Sequence, residues 1–489
     1  MRKLFSVLLT IVLLCSLMAV PAMAEEPYEV KLLIYGSNCV DDMGEVLAKV
    51  NEITREKINA TLSIEYINSS SYQQQLNLML SGHEKVDIVA TGYNWNVASQ
   101  MTNGQLLPMN DLLDQYGQGI KEVLPDDVLH SVTMDGQVYC LPACRDWASQ
   151  SCIMFRHDLI EKYNIDLSNV KTLDDVTAVL KTVYDNEPEV GHIVTGNGSF
   201  CMLYHMIEND FDVLCDYIGV LENPIEGGTK IVNLFETDTY YQYCKTMREW
   251  YEAGYIPADY ASNTDSATTL IKAGTIWAVS TRYKPGAIGQ NSRGWGYDMD
   301  CVLLTDPLCN TGVLSVMGMS IAANCQNPQK AMEMLNLFYT DSDILNLIDF
   351  GIEGKHYKKV TDQLITFADG VDSSNSTYFP NNAWMWGNQY ITYNWENDGE
   401  IWPALKEFND TAPRSNAIGF MFDMTPVAGE YAAVKAVMDQ YRRAIECGAL
   451  DLDEYLPIFN QALKDAGLEK VIAEKQAQFD AFLAARDAQ

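Results

Sequence analysis

Two hydrophobic periods alternate along the chain. Residues 30–35 (Val-Lys-Leu-Leu-Ile-Tyr) are a short β-branched and Leu-rich stretch that turns out through Gly36-Ser37-Asn38, which predicts a strand. Met43, Val46, Leu47, Val50 and Ile53 then recur every three or four positions, one face of a helix. Leu62, Ile64 and Tyr66 alternate within a second strand over 61–67. A helix over 72–80 and a strand over 86–90 follow. Strands and helices in strict alternation, with short connections, predict a parallel sheet covered on both faces: an α/β fold. Ligands of such sheets bind outside the carboxyl ends of the strands. Here those ends are Ser37 and Asn38, then Tyr93, Asn94 and Trp95, where a strand runs directly into amide, hydroxyl and indole groups.

The pattern continues with strands over 137–141 and 151–155 flanking Pro142. A helix over 172–185 starts at Thr172, with Asp174 and Asp175 in its first turn. A helix over 238–253 stops at Gly254, with Pro257 beyond it. An apolar strand over 275–280 opens into Arg282 and Tyr283, and a further strand region spans 313–323. Helices are predicted over 328–339 and 343–350, and over 427–485 with breaks near Gly448 and Gly467. The sequence holds no internal repeat, no low-complexity stretch and no long linker.

The first 24 residues read as an address. Arg2 and Lys3 precede an apolar run over 4–20, and Ala22-Met23-Ala24 supplies the small residues of a cleavage site before Glu25. Cleavage there removes two positive charges and takes the formal charge from −33 to −35. Cys15 follows Leu13-Leu14, a poor context for a lipid anchor, so the mature chain is expected to be released in soluble form. So acidic a surface repels nucleic-acid phosphates, and no run of Lys or Arg offsets it. The eleven cysteines beyond Cys15 are scattered and contain no Cys-x-x-Cys, so most are expected to be buried small apolar residues, with room for one or two bridges.

Searches for chemistry find little. No P-loop, Gly-x-Gly-x-x-Gly or His-Glu-x-x-His is present. Gly318-Met319-Ser320-Ile321-Ala322 mimics a nucleophile elbow, with Asp349 and His356 following in hydrolase order. Ser320 nevertheless falls inside an apolar strand, so no catalytic residue is assigned. Asn394-x-Glu396-x-Asp398-Gly399 starts like a calcium loop but has Leu405 where a bidentate Glu belongs, so no metal is assigned either.

The positive signal is aromatic. Trp384, Trp386, Trp395 and Trp402 place four of the nine tryptophans within 19 residues, among Asn381, Asn382, Asn388 and Gln389. Indole planes suit the C–H faces of sugar rings, and amides suit the hydroxyl rim. Core packing competes with this reading for any single Trp.

The ordered motifs give the chain a resemblance. Asn103-Gly104-Gln105-Leu106-Leu107-Pro108-Met109, Asp135-Gly136-Gln137-Val138-Tyr139-Cys140-Leu141-Pro142 and Met154-Phe155-Arg156-His157-Asp158-Leu159 are similar to segments of the extracellular solute-binding proteins of ABC importers with the maltose-binding-protein architecture. Residues 331–338 resemble the helix on which that chain returns to its second lobe. Residues 351–357, Trp386-Gly387-Asn388-Gln389, 419–423 and Pro426-Val427 are similar to a lipoprotein-like subfamily of oligosaccharide binders. The resemblance implies a two-lobed periplasmic-binding-protein-like fold of type II, with discontinuous lobes joined by a multi-strand hinge. Lobe one would take 27–141 and 278–323, lobe two 146–275 and 327–489.

The implied function is capture of a carbohydrate, expected to be an oligosaccharide, between the lobes, and delivery to ABC permease subunits by an exported monomer. No cofactor, catalysis or nucleic acid is involved. A secreted glycosidase, a binder of another polar solute such as a peptide, and a binder that reports to a sensor are the alternatives. The strand-end rule and the family's hinge positions together place Ser37, Asn38, Tyr93, Asn94 and Trp95 on one side of the ligand. Arg145, Asp146, Trp147, Arg282 and Tyr283 are expected to border the cleft. Trp384 or Trp386 is expected to be the stacking platform of lobe two. The resemblance has Trp386 opening a helix, which would separate the two indoles by ~200° and send only one into the cleft.

Overall fold

A computed structural model describes residues 26–36, 39–92, 97–134, 136–195, 204–314 and 317–487. The chain begins with β1 (Tyr28–Tyr35), α1 (Met43–Ile58), β2 (Ala60–Ile67), α2 (Tyr72–Ser81) and β3 (Ile88–Gly92). β1 pairs in parallel with β2 over its full length and with β3 at Leu32↔Ile88. Its residues from Leu32 to Tyr35 are all buried, because helices cover both faces of the sheet.

After β4 (Leu141–Pro142) the chain crosses into β5 (Gln150–Arg156) and a second α/β unit. That unit contains α3 (Leu173–Tyr184), β6 (Ile193–Thr195), α4 (Tyr204–Asp210), β7 (Ala278–Tyr283), α5 (Ala287–Trp295) and β8 (Met299–Leu303). Its sheet has the order β8–β5–β7–β6, with β7 antiparallel to β5 and parallel to β6. The expected cap of α3 is present as a reciprocal box. The Asp175 backbone N–H donates to the Thr172 hydroxyl, and the Asp175 carboxylate accepts from the Thr172 backbone. Thr172→Ala should cost about 1 kcal/mol in urea unfolding. An unchanged midpoint would show that the cap is dispensable.

The chain then returns to the first sheet through β9 (Met317–Ile321), whose five residues are all buried. β9 completes the order β2–β1–β3–β9–β4. Ser320 lies in its centre, within 3.3 Å of the Thr91 hydroxyl, and His356 bonds Asp42 at 3.0 Å. Ser320 and His356 of the hydrolase-like trio are thus engaged in separate contacts. α6 (Pro328–Thr340) and α7 (Ser342–Phe350) cover this sheet.

The division of the chain differs from the expected one in two places. The strand expected near 275–280 forms as β7 but joins the second sheet, with Ala278 opposite Phe155. α6 and α7 pack Met332, Leu335, Phe338, Ile344 and Ile348 into the first core rather than the second. The physical reason is shared: an apolar half-strand or an ordinary amphipathic helix fits either core, and only its partners decide. The chain settles in the second core from Ala417 onward, through α9 (Ala428–Glu446), α10 (Leu452–Asp465) and α11 (Leu468–Arg486), reached after α8 (Trp402–Thr411). Gly467 opens α11 at φ 99°, and a Cβ there would stand 2.7 Å from the Glu430 side chain, so glycine is required.

Three segments cross between the cores and bond to one another. Cys144 N–H donates to Gly387 O at 2.6 Å, Ser149 N–H to Leu308 O at 3.0 Å, and Cys309 N–H to Pro413 O at 2.9 Å. A small sheet of β10 (Tyr357–Lys359), β11 (Leu364–Phe367) and β12 (Asn394–Trp395) stands beside α7. The ten cysteines among the described residues are free thiols, six of them buried. No helix among the described residues is long and apolar enough to cross a membrane.

Candidate functional site

The crossing from β4 to β5 carries Arg145, Asp146 and Trp147 into the seam between the two cores. Arg145 grips Asp146 through two parallel bonds of 3.0 and 3.1 Å. Lys284, just beyond β7 of the second lobe, reaches the same carboxylate at 3.3 Å. Burial alone pushes the Asp146 carboxyl up, but the two cations outweigh it and hold the group well below the usual carboxylate range. Asp146 is therefore a fixed anion, unsuited to the proton donation that a glycosidase acid must perform. The other face of Arg145 lies 5.0 Å from the ring centre of Trp384, which is half-buried. Hinge, first lobe and second lobe thus meet at one guanidinium and one carboxylate.

Trp384 sits in a single 3-10 turn, Ala383–Met385, and not in a regular helix. Trp386 follows in extended conformation (φ −99°, ψ 151°), so the two indoles still diverge. Trp386 is fully buried against Phe338, 5.5 Å between ring centres, and belongs to the first core. It cannot serve as a platform, and Trp384 stands on the first lobe rather than the second. Trp147 is also a packing residue. Its indole donates to Ala143 O at 2.9 Å and its ring meets Tyr390 edge-on. Tyr283 is partly buried against Phe408, 6.4 Å away.

Arg282 leaves the end of β7 and turns into the second lobe. Its Nε donates to His205 Nδ1 at 3.1 Å, and its Nη2 bonds Glu208. Tyr217 donates to the other Glu208 oxygen at 3.2 Å. Burial raises the Glu208 carboxyl, but the Arg282 guanidinium outweighs it and lowers it from 4.5 to about 2. Burial lowers the His205 pKa, in keeping with a neutral ring that accepts from Arg282.

Both shifts make acid destabilising. Glu208 contributes stability that is complete above pH ~4.5 and lost as pH falls toward ~2. His205 adds a loss that begins below its ordinary pKa, near 6.5. Across that window the wild type should lose about 3 kcal/mol more than Glu208→Gln, measured by urea unfolding at stepped pH. Parallel pH profiles for the two proteins would refute the assignment.

Ser37, Asn38, Tyr93, Asn94 and Trp95 lie outside the described residues. The residues flanking them mark the place. Gly36 and Cys39 bracket the exit of β1, and Gly92 ends β3. Tyr66, at the end of β2, accepts from Asn382 Nδ2 at 3.2 Å, which ties the loop bearing Trp384 to the carboxyl end of the sheet. Lys284 was missed by sequence reasoning: it stands next to Tyr283, which was named, but has no motif of its own.

Comparison with known proteins gives the chain its relatives. The model of the bacterial extracellular solute-binding protein family matches residues 48–348, and a domain of unknown function (DUF3502) matches residues 416–484. A carbohydrate ABC transporter substrate-binding protein of Streptococcus pneumoniae is 30% identical over 452 residues, 91% of this chain and 89% of that protein. The crystal structure of the N-glycan transport solute-binding protein NgtS from S. pneumoniae superposes with a TM-score of 0.84 at 27% identity, covering 94% of this chain and all of that one. The same protein in complex with Man5GlcNAc gives a TM-score of 0.76 at 28% identity, covering 94% and 99%. The alginate-binding protein AlgQ2 shares the fold at 16% identity and a TM-score of 0.64, covering 94% and 99%.

Proposed function

For a chain that belongs to the family of bacterial extracellular solute-binding proteins, we propose a carbohydrate as cargo and the seam between the lobes as its place. The family consists of substrate-binding components of ABC importers rather than enzymes, and it acts outside the cytoplasmic membrane. The observation that supports the placement is the half-buried Trp384 beside Arg145, with Asp146 and Lys284 completing a polar floor that both lobes supply. An indole face accepts the C–H face of a pyranose, while the guanidinium, carboxylate and ammonium address its hydroxyls.

Capture needs no covalent step. Contacts from both lobes are complete only when the lobes approach, so the ligand stabilises the closed form. The permease subunits then recognise that closed form, and the protein works as a monomer. The size of the relative's glycans, Man1GlcNAc and Man5GlcNAc, makes an oligosaccharide the expected cargo.

A thermal-shift screen tests the reading, with Man1GlcNAc, Man5GlcNAc and a panel of gluco- and manno-oligosaccharides. A ligand at a hundred times its Kd adds about 2.7 kcal/mol to stability, a clear rise in Tm. A screen with no shift for any glycan, and a shift for a peptide mixture, would overturn the carbohydrate assignment.

A further inference from the structure

A second aromatic surface lies at the same end of the first lobe, apart from Trp384. Phe367, Phe379 and Trp395 form a triangle with ring centres 4.6, 5.2 and 5.7 Å apart. None of the three is buried outright.

Their anchoring fixes where they stand. The Phe379 backbone N–H donates to Cys39 O at 2.7 Å, on the exit of β1. Asp42, beside it at the start of α1, binds His356 at 3.0 Å and Lys355 at 2.9 Å, so the loop before β10 is tied to the same end of the sheet. That is the carboxyl end of the parallel strands, where ligands of such sheets bind.

On the opposite side the triangle meets the second lobe. Arg293 of α5 lies 5.9 Å from the Trp395 ring and holds Asp398 through two bonds of 2.7 and 2.9 Å. A Cβ on Gly289 would fall 2.9 Å from Asp398 Oδ1, so α5 and this segment are in close contact. The aromatic surface therefore bridges from one lobe toward the other, as a surface in the cleft must.

Trp395 backs onto the buried Phe350, 5.8 Å away, which holds the group in place, and the partly exposed rings beyond it, rimmed by a planar ion pair, have the make-up of a binding surface. We propose that Phe367, Phe379 and Trp395 form an outer sugar subsite that holds residues of an oligosaccharide beyond the one on Trp384, and so set the preference for chain length. The inference rests on the carbohydrate reading above.

The test is calorimetry of wild type, Trp395→Ala and Phe379→Leu with two probes, Man1GlcNAc and Man5GlcNAc. The second variant keeps apolar volume while removing the ring, so one informative protein remains if Trp395→Ala does not fold. Loss of a stacking partner should weaken Man5GlcNAc about tenfold or more, while Man1GlcNAc changes by less than about twofold. Equal losses for both probes, or none for either, would overturn the subsite while leaving the carbohydrate reading intact. A wild type that binds neither probe nor any other glycan of the thermal-shift panel would overturn both.

Discussion

Trp386→Ala is expected to cost ~3–5 kcal/mol of stability, the range for a buried tryptophan truncated in a close-packed core. Its indole is fully buried against Phe338, and the next residue, Gly387, has no room even for a methyl: a Cβ would lie 2.1 Å from Phe338 O. A site so tightly bounded by backbone has little freedom to collapse into the cavity. Trp384→Ala should do the reverse. Its ring is half-buried and faces Arg145, so its loss should cost little stability but weaken oligosaccharide binding by about tenfold or more. Chemical denaturation and calorimetry on both variants separate the two roles. Equal stability losses, or full affinity in Trp384→Ala, would remove the assigned division of labour.

Asn409→Ala is expected to cost a similar ~3–5 kcal/mol, although it deletes only a small polar group. Asn409 is fully buried in α8 and makes three side-chain bonds to the crossing segment and a fourth to Tyr390. Its carbonyl accepts from Trp147 N–H at 2.8 Å and Ala148 N–H at 3.1 Å. Its amide donates to Arg145 O and to the Tyr390 hydroxyl, both at 2.7 Å. Truncation leaves the Trp147 and Ala148 backbone donors in the interior without an acceptor, each costing about 1–3 kcal/mol, while Arg145 O keeps its bond from the Tyr390 hydroxyl at 3.2 Å. Because those groups flank Arg145 and Asp146, ligand affinity should fall as well. A variant that unfolds at the wild-type urea concentration would show that the crossing segments satisfy themselves.

Much of the architecture was readable because its cause is local. β1, α1, β2 and α2 follow from period-2 and period-3.6 patterns, and the α3 cap from Thr172 and Asp175. What sequence could not settle is pairing. β7 is apolar along its first half and would suit either sheet; its neighbours Phe155 and Ile193 are distant in sequence. For the same reason α6 and α7, amphipathic in the ordinary way, could not be assigned a core from their own residues.

The site shows the same limit. The divergence of Trp384 and Trp386 was expected through a helix at Trp386 that does not form; it comes instead from a 3-10 turn followed by an extended residue, and neither their lobe nor the burial of Trp147 was foreseen. The ion triad needed Lys284 to arrive beside Asp146 from 138 positions away. No local pattern announces such a meeting.

The place of β9 has a consequence for how the molecule is born. It lies between β3 and β4, with Ser320 opposite Val89, so the middle of the first sheet is supplied from far down the chain. A polypeptide emerging amino-end first across a membrane must leave the open edge of β3 unpaired until more than two hundred further residues have followed. Such long-range closure slows folding, and an unpaired apolar edge invites intermolecular pairing in the meantime. Refolding from denaturant should accordingly grow less efficient as protein concentration rises, the first sheet being the part that waits.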